Sequence, residues 1–134
     1  MKYDKVSDDI FSVFATAEWV AESIPTYPQN HITVNPSNEF IRISIVPSSF
    51  LSTLDSLSGQ LIIDIFTPAG NGPKRSFAIA DILDQYLVGK SLNTGGNGVT
   101  QFLASSLGAG DLDRDNTNLY RVIYTISFNY TGVQ

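Results

Sequence analysis

The chain holds one histidine and no cysteine in 134 residues, which removes much of the chemistry open to a small protein. Disulfides, thiolate metal sites, cysteine nucleophiles and clusters of histidine ligands are all excluded. A serine triad would have to use His31, which stands in a proline-rich stretch, and no G-x-S-x-G elbow is present. His31 reads instead as a surface or packing histidine. Gly89-Lys90-Ser91 has the ending of a P-loop, but Asp84 stands where its first glycine belongs, and the motif would follow a helix rather than a strand. Gly70-Asn71-Gly72-Pro73-Lys74-Arg75 fits a phosphate site better, because it follows a predicted strand and opens a predicted helix as a dinucleotide fingerprint does. Against this, Arg75 replaces the third glycine and Pro73 removes an N–H from the helix end that would hold the anion. Lys74 and Arg75 also oppose the helix dipole, a cost that an acidic partner nearby would offset. The run is read as a loop-to-helix cap.

The carboxylates give two more candidates. Asp111-Leu112-Asp113-Arg114-Asp115-Asn116 alternates oxygen ligands like a calcium loop, yet its sixth position is Asn116 rather than glycine and its twelfth is Val122 rather than glutamate. A weak divalent site and a solvated acidic loop both remain open there, the second favoured. Asp64 lies in an otherwise apolar strand, where a glycosidase-type acid would need a second carboxylate beside it. None is placed by the sequence, so Asp64 reads as a hydrogen-bonded or ion-paired structural group. The expectation is a protein that is not an enzyme, with no catalytic residue, cofactor or metal.

Charge narrows the field of partners. Thirteen acidic against eight basic residues give a net charge of -5, and no Lys/Arg cluster occurs, so a sequence-independent grip on nucleic-acid phosphates is not expected. Charged residues make up 16% of the chain, below the ~25% of ordinary soluble domains. With 43% hydrophobic residues and no long apolar run, the composition fits one globular domain, 1–134, part of whose surface a partner covers, and neither disorder nor membrane spanning. Acidic Asp8 and Asp9 follow Met1-Lys2-Tyr3-Asp4-Lys5, so no secretory signal is visible, synthesis in the cytoplasm is the default, and the Asn129-Tyr130-Thr131 sequon carries no weight.

The elements that must position these residues follow from periodicity. Val6, Ile10, Val13, Phe14, Ala17, Val20, Ala21 and Ile24 recur at steps of three and four, which predicts one helix over 6–24 ended by Pro25. Phe11, Ala15 and Trp19 form a second row available to another chain. Residues 25–38, with three prolines around Tyr27 and His31, form an extended arm. Alternation predicts strands at 39–46 (ended by Pro47), 60–66, 99–104 and 120–130, and a second helix at 73–88 with Phe77, Ala80, Leu83 and Leu87 inward and Gly89 at its end. Residues 105–118 are left as a polar acidic loop. The order α-β-β-α-β-β predicts an α+β fold, a mostly antiparallel four-stranded sheet with two helices on one face.

From Phe40 to the C-terminus the chain resembles the bacteriophage tail terminator family, the lambda-type minor tail proteins. The resemblance rests on Phe40-Ile41-Arg42-Ile43-Ser44-Ile45-Val46-Pro47, on the strand and turn from Gly59 to Gly72, on the second helix, and on Leu119-Tyr120-Arg121-Val122-Ile123-Tyr124-Thr125-Ile126. Tyr27-Pro28-Gln29-Asn30 looks like the family's aromatic-to-asparagine arm, with Pro36 after it. It implies a virion structural protein, assembled in the host cytoplasm, whose homohexameric ring caps the head-proximal end of a long non-contractile tail. Its partners would be further copies of itself, the tail tube protein and a head or neck connector, with DNA passing through unbound and no membrane involved. Phe11, Trp19, Tyr27, His31, Lys74 and Arg75 are the expected subunit contacts, and Asp111, Asp113 and Asp115 the expected channel or partner loop. A neck or head-completion protein, and a small anion-binding or hydrolytic domain built on Gly70 to Arg75, are the rival readings.

Overall fold

Two long strands carry the molecule, β3 (Ser56–Pro68) and β7 (Leu119–Gly132), paired antiparallel from Ser56↔Thr131 to Pro68↔Leu119. Alternating apolar residues along both give one continuous buried face, Leu57, Leu61, Ile63 and Ile65 beside Val122, Tyr124, Ile126, Phe128 and Tyr130. β2 (Phe40–Ser48) adds Ile41 and Ile43 to that face on the far side of β3, and β5 (Gly98–Leu107) adds Phe102 on the far side of β7. Three short strands complete the sheet: β1 (Thr26–Pro28) parallel to β2, β4 (Ser91–Leu92) on β5, and β6 (Asp111–Leu112) on β7. The computed structural model describes residues 2–28, 39–48, 56–70, 73–93, 98–108, 110–112 and 119–132.

The result is a seven-stranded mixed sheet in the order β1-β2-β3-β7-β5-β4, with β6 beside β7, curled into a half-barrel. This overturns the four-stranded α+β expectation. Periodicity finds only strands long enough to show a pattern, whereas β1, β4 and β6 are two or three residues long and exist because a neighbouring strand pairs with them. β2 runs on through Pro47, because Gly59 opposite it lets the two backbones close up: a Cβ at Gly59 would lie 2.5 Å from the Val46 carbonyl oxygen and 3.0 Å from Pro47 Cα. β5 continues past residue 104 through a bulge between Phe102 and Ser105, so Ser105–Leu107 is strand rather than loop.

The first helix also differs from its prediction. It begins at Lys2 and breaks, giving α1 (Lys2–Phe14) and α2 (Ala17–Ala21). Thr16 causes the break: with extended backbone (ψ 151), its hydroxyl oxygen accepts the Trp19 N–H at 3.2 Å and its O–H donates to the Val13 carbonyl at 2.9 Å. Beyond α2 and its C-cap Glu22 stands Ser23, whose φ of 59 is the one positive value for a non-glycine residue among those described. α3 (Lys74–Leu87) matches its prediction within one residue, and Gly89 follows it at φ 72. Its buried row is Ser76, Ile79, Ala80, Leu83 and Leu87, while Phe77, expected inward, is 49% exposed. The core sits between the helices and the isoleucine-rich sheet face, with Val6, Ile10, Val13 and Phe14 of α1 and Ile79, Ala80, Leu83 and Leu87 of α3 in one cluster. On the opposite sheet face Phe40, Phe66 and Leu119 form a smaller cluster against Tyr27.

Candidate functional site

The carboxylates that could do chemistry are spent on architecture. Asp9, fully buried in α1, accepts the Thr100 hydroxyl of β5 at 2.7 Å. Asp84 of α3 accepts the Tyr124 hydroxyl at 2.6 Å and the Ser105 hydroxyl at 2.7 Å. α1 and α3 are thus each tied by one acid to the β5 side of the sheet. Burial, and then the bond to Asp84, hold the Tyr124 hydroxyl well above the ordinary tyrosine pKa, so it stays a donor. Asp64 meets Arg121, whose Nη2 and Nε lie 2.9 and 3.2 Å from one carboxylate oxygen. Its register partner across β2 is Arg42, whose guanidinium stacks 5.2 Å from the centre of the Phe66 ring. Asp64 is therefore the ion-paired structural group its setting suggests. Among the described residues no group of three possible metal ligands forms.

The expected contact residues scatter. Arg75 forms a two-bonded ion pair with Glu39 of its own chain at 2.6 and 3.0 Å, which supplies the acidic group that the basic start of α3 calls for. Lys74 beside it is exposed. Trp19 is not on the surface at all. It is 2% exposed, packed edge-on against Phe14 and Tyr86 with ring centres 5.0 and 5.3 Å away, and its Nε1–H donates to the Thr26 hydroxyl at 3.0 Å. The break at Thr16 is what turns it inward, a displacement that unbroken helical periodicity cannot register. Tyr27 packs edge-on against Phe40. Asp111 lies exposed on β6, its carboxylate accepting the Leu112 N–H at 2.8 Å. His31, Asp113 and Asp115 lie outside the described residues, as do Asn71 and Gly72 of the glycine-rich turn.

Two surface features come into view instead. Phe11 is half-buried in an apolar groove of about 410 Å³, where Tyr3, Val6 and Phe11 of α1 face Ile43 and Ile45 of β2 and Leu57 of β3. The second is the outer side of β5. β4 covers it only as far as Ser91↔Gln101, and beyond that Leu103 and Leu107 are 42% and 39% exposed. The sequence carried a signal for this surface that pattern-matching for active sites overlooks: Gly98 to Leu107 is a ten-residue run without a charge or a proline.

No protein-family model matches the sequence, and no curated protein matches it at significance. The fold has solved counterparts. A chain bearing no functional name superposes with a TM-score of 0.72 at 17% identity, covering 96% of this chain and 97% of that one. A chain from the virion of a native gene transfer agent particle superposes with a TM-score of 0.63 at 12% identity, covering 93% of each.

Proposed function

We propose that this chain is a structural subunit of a phage-like virion, and within it the terminator of a long tail. The observation that carries the reading is the correspondence with a chain of a gene transfer agent virion, in which one fold takes in 93% of both chains. The interior adds independent support. Asp9, Asp64 and Asp84 are each engaged in holding elements together, which suits a load-carrying subunit more than a reactive one.

As a terminator the chain closes into a ring by head-to-tail contacts, most simply with six copies. One ring face seats on the tail tube and ends its growth, because the surface it then presents is not that of another tube subunit. The other face receives the neck. Deleting the gene and imaging the particles tests the assignment: overlong tails that fail to join heads are expected. Tails of normal length attached to filled heads contradict it, and tails of normal length that cannot attach point to a neck protein.

A further inference from the structure

We propose that the outer edge of β5, residues 103–107, is where a neighbouring copy of this chain adds an extended segment, so that main-chain hydrogen bonds join the subunits. The inference rests on the ring reading and names the surface that makes it.

The geometry of the edge comes first. The Gly108 N–H points inward to the Ile123 carbonyl at 2.8 Å. Alternation along a strand then turns the N–H and C=O of Leu107 and of Ser105 outward, away from β7. Among the described residues no strand meets them there, since the outer ladder of β5 ends at Ser91↔Gln101 and its last main-chain bond is from the Phe102 N–H to the Lys90 carbonyl at 2.9 Å. Ala104, Ser106 and the flanking leucines are exposed, and α3 meets this stretch on one face only, through the Asp84 bond to the Ser105 hydroxyl, which leaves the outward main chain clear among the described residues.

Folded proteins blunt such edges with lysine, proline, inward charges or a covering element. Among the described residues this edge has the bulge between Phe102 and Ser105 and no other such defence, and it displays Leu103 and Leu107 beside main-chain groups that no described strand pairs. An edge of that kind accepts an extended backbone, with side chains at alternate positions adding apolar contact.

A second copy fits better than an unrelated partner because of charge. Copies that each carry -5 repel, and they meet at least cost along a strip that has none. Gly98 to Leu107 is such a strip, and a contact that sets it against a different surface of the next copy is head-to-tail.

The test is hydrogen exchange on the intact chain, compared between dilute protein and protein assembled with or without isolated tail tubes, the mass being followed in parallel. The Ser105 and Leu107 amides should slow at least tenfold on assembly. The Leu103→Lys, Leu107→Lys double variant should weaken association at least tenfold while keeping its circular dichroism, and Val20→Lys, on exposed α2, should not. Rings whose 103–107 amides still exchange freely, or rings formed normally by a folded double variant, overturn this interface and leave the ring reading standing. A chain that stays monomeric under every condition overturns both. If the double variant does not fold, the exchange of the native chain decides alone.

Discussion

Replacing Trp19 with alanine separates the core role the structure assigns it from a role at a subunit contact. The side chain is 2% exposed, touches Phe14 and Tyr86 edge-on at 5.0 and 5.3 Å, and donates its indole N–H to Thr26. Truncating a buried aromatic of this size costs about 3–5 kcal/mol, with the lost edge-on pairs pushing toward the upper end. With a urea slope of about 2 kcal/mol per molar, the unfolding midpoint should fall by roughly 2 M. Circular dichroism is the probe, because the variant has lost the chain's single tryptophan. Trp19→Phe keeps an aromatic ring but gives up the donor to Thr26 and part of the packed volume, so it should lose less, about 1–3 kcal/mol. The native chain should show blue-shifted fluorescence whether or not it is assembled. A loss below about 1 kcal/mol for Trp19→Ala, together with failure to assemble, would refute the packing argument and return Trp19 to the subunit surface.

The tie between Tyr124 and Asp84 makes stability depend on alkaline pH. Because the folded-state pKa is raised, the unfolded chain loses this proton first, so the contribution is full below about pH 10 and is lost as pH rises toward the folded value. Tyr124→Phe should cost about 1–3 kcal/mol at neutral pH, by leaving Asp84 short of a donor, and should flatten the fall measured by urea titration between pH 9 and 11. Gly59→Ala drives a methyl against the Val46 carbonyl, Pro47 and the Phe128 ring, and should lower stability by about 1–3 kcal/mol in thermal unfolding. Thr16→Ala removes the cap of α2 and should cost about 1 kcal/mol, read in the same assay, with Trp19 fluorescence shifting to the red if α2 swings outward.

Legibility from the sequence followed the length of each pattern. β7 alternates over fourteen residues and α3 repeats over four turns between Pro73 and Gly89, and both are placed within two residues. Apolar residues on both faces between Leu61 and Phe66, broken only by Asp64, mark β3 as central, which it is, with β2 and β7 on its two sides. What failed depends on contacts between distant residues. Pro47 ends a strand in isolation and continues one when Gly59 stands opposite. Phe77 belongs to an apolar helix row, yet α3 turns that row so that Ser76 is buried against Thr67, their hydroxyls 3.1 Å apart, and Phe77 meets solvent. At the surface, the partner for Arg75 was foreseeable in kind, since two bases at a helix start call for an acid, but nothing local identifies Glu39, thirty-six residues earlier. The β5 edge escaped because an exposed edge is a property of strand order, which no single segment carries.

The central claim is that copies of this chain close into a ring, and its mass in solution tests that most directly. Light scattering coupled to size exclusion, with negative-stain images of the same peak and with isolated tail tubes added where the free chain does not assemble, should give a closed ring of about 88 kDa, six times the 14.6 kDa chain, seated at one tube end. A species that remains at 14.6 kDa at high concentration and in the presence of tubes, with tube ends left bare, would contradict the account.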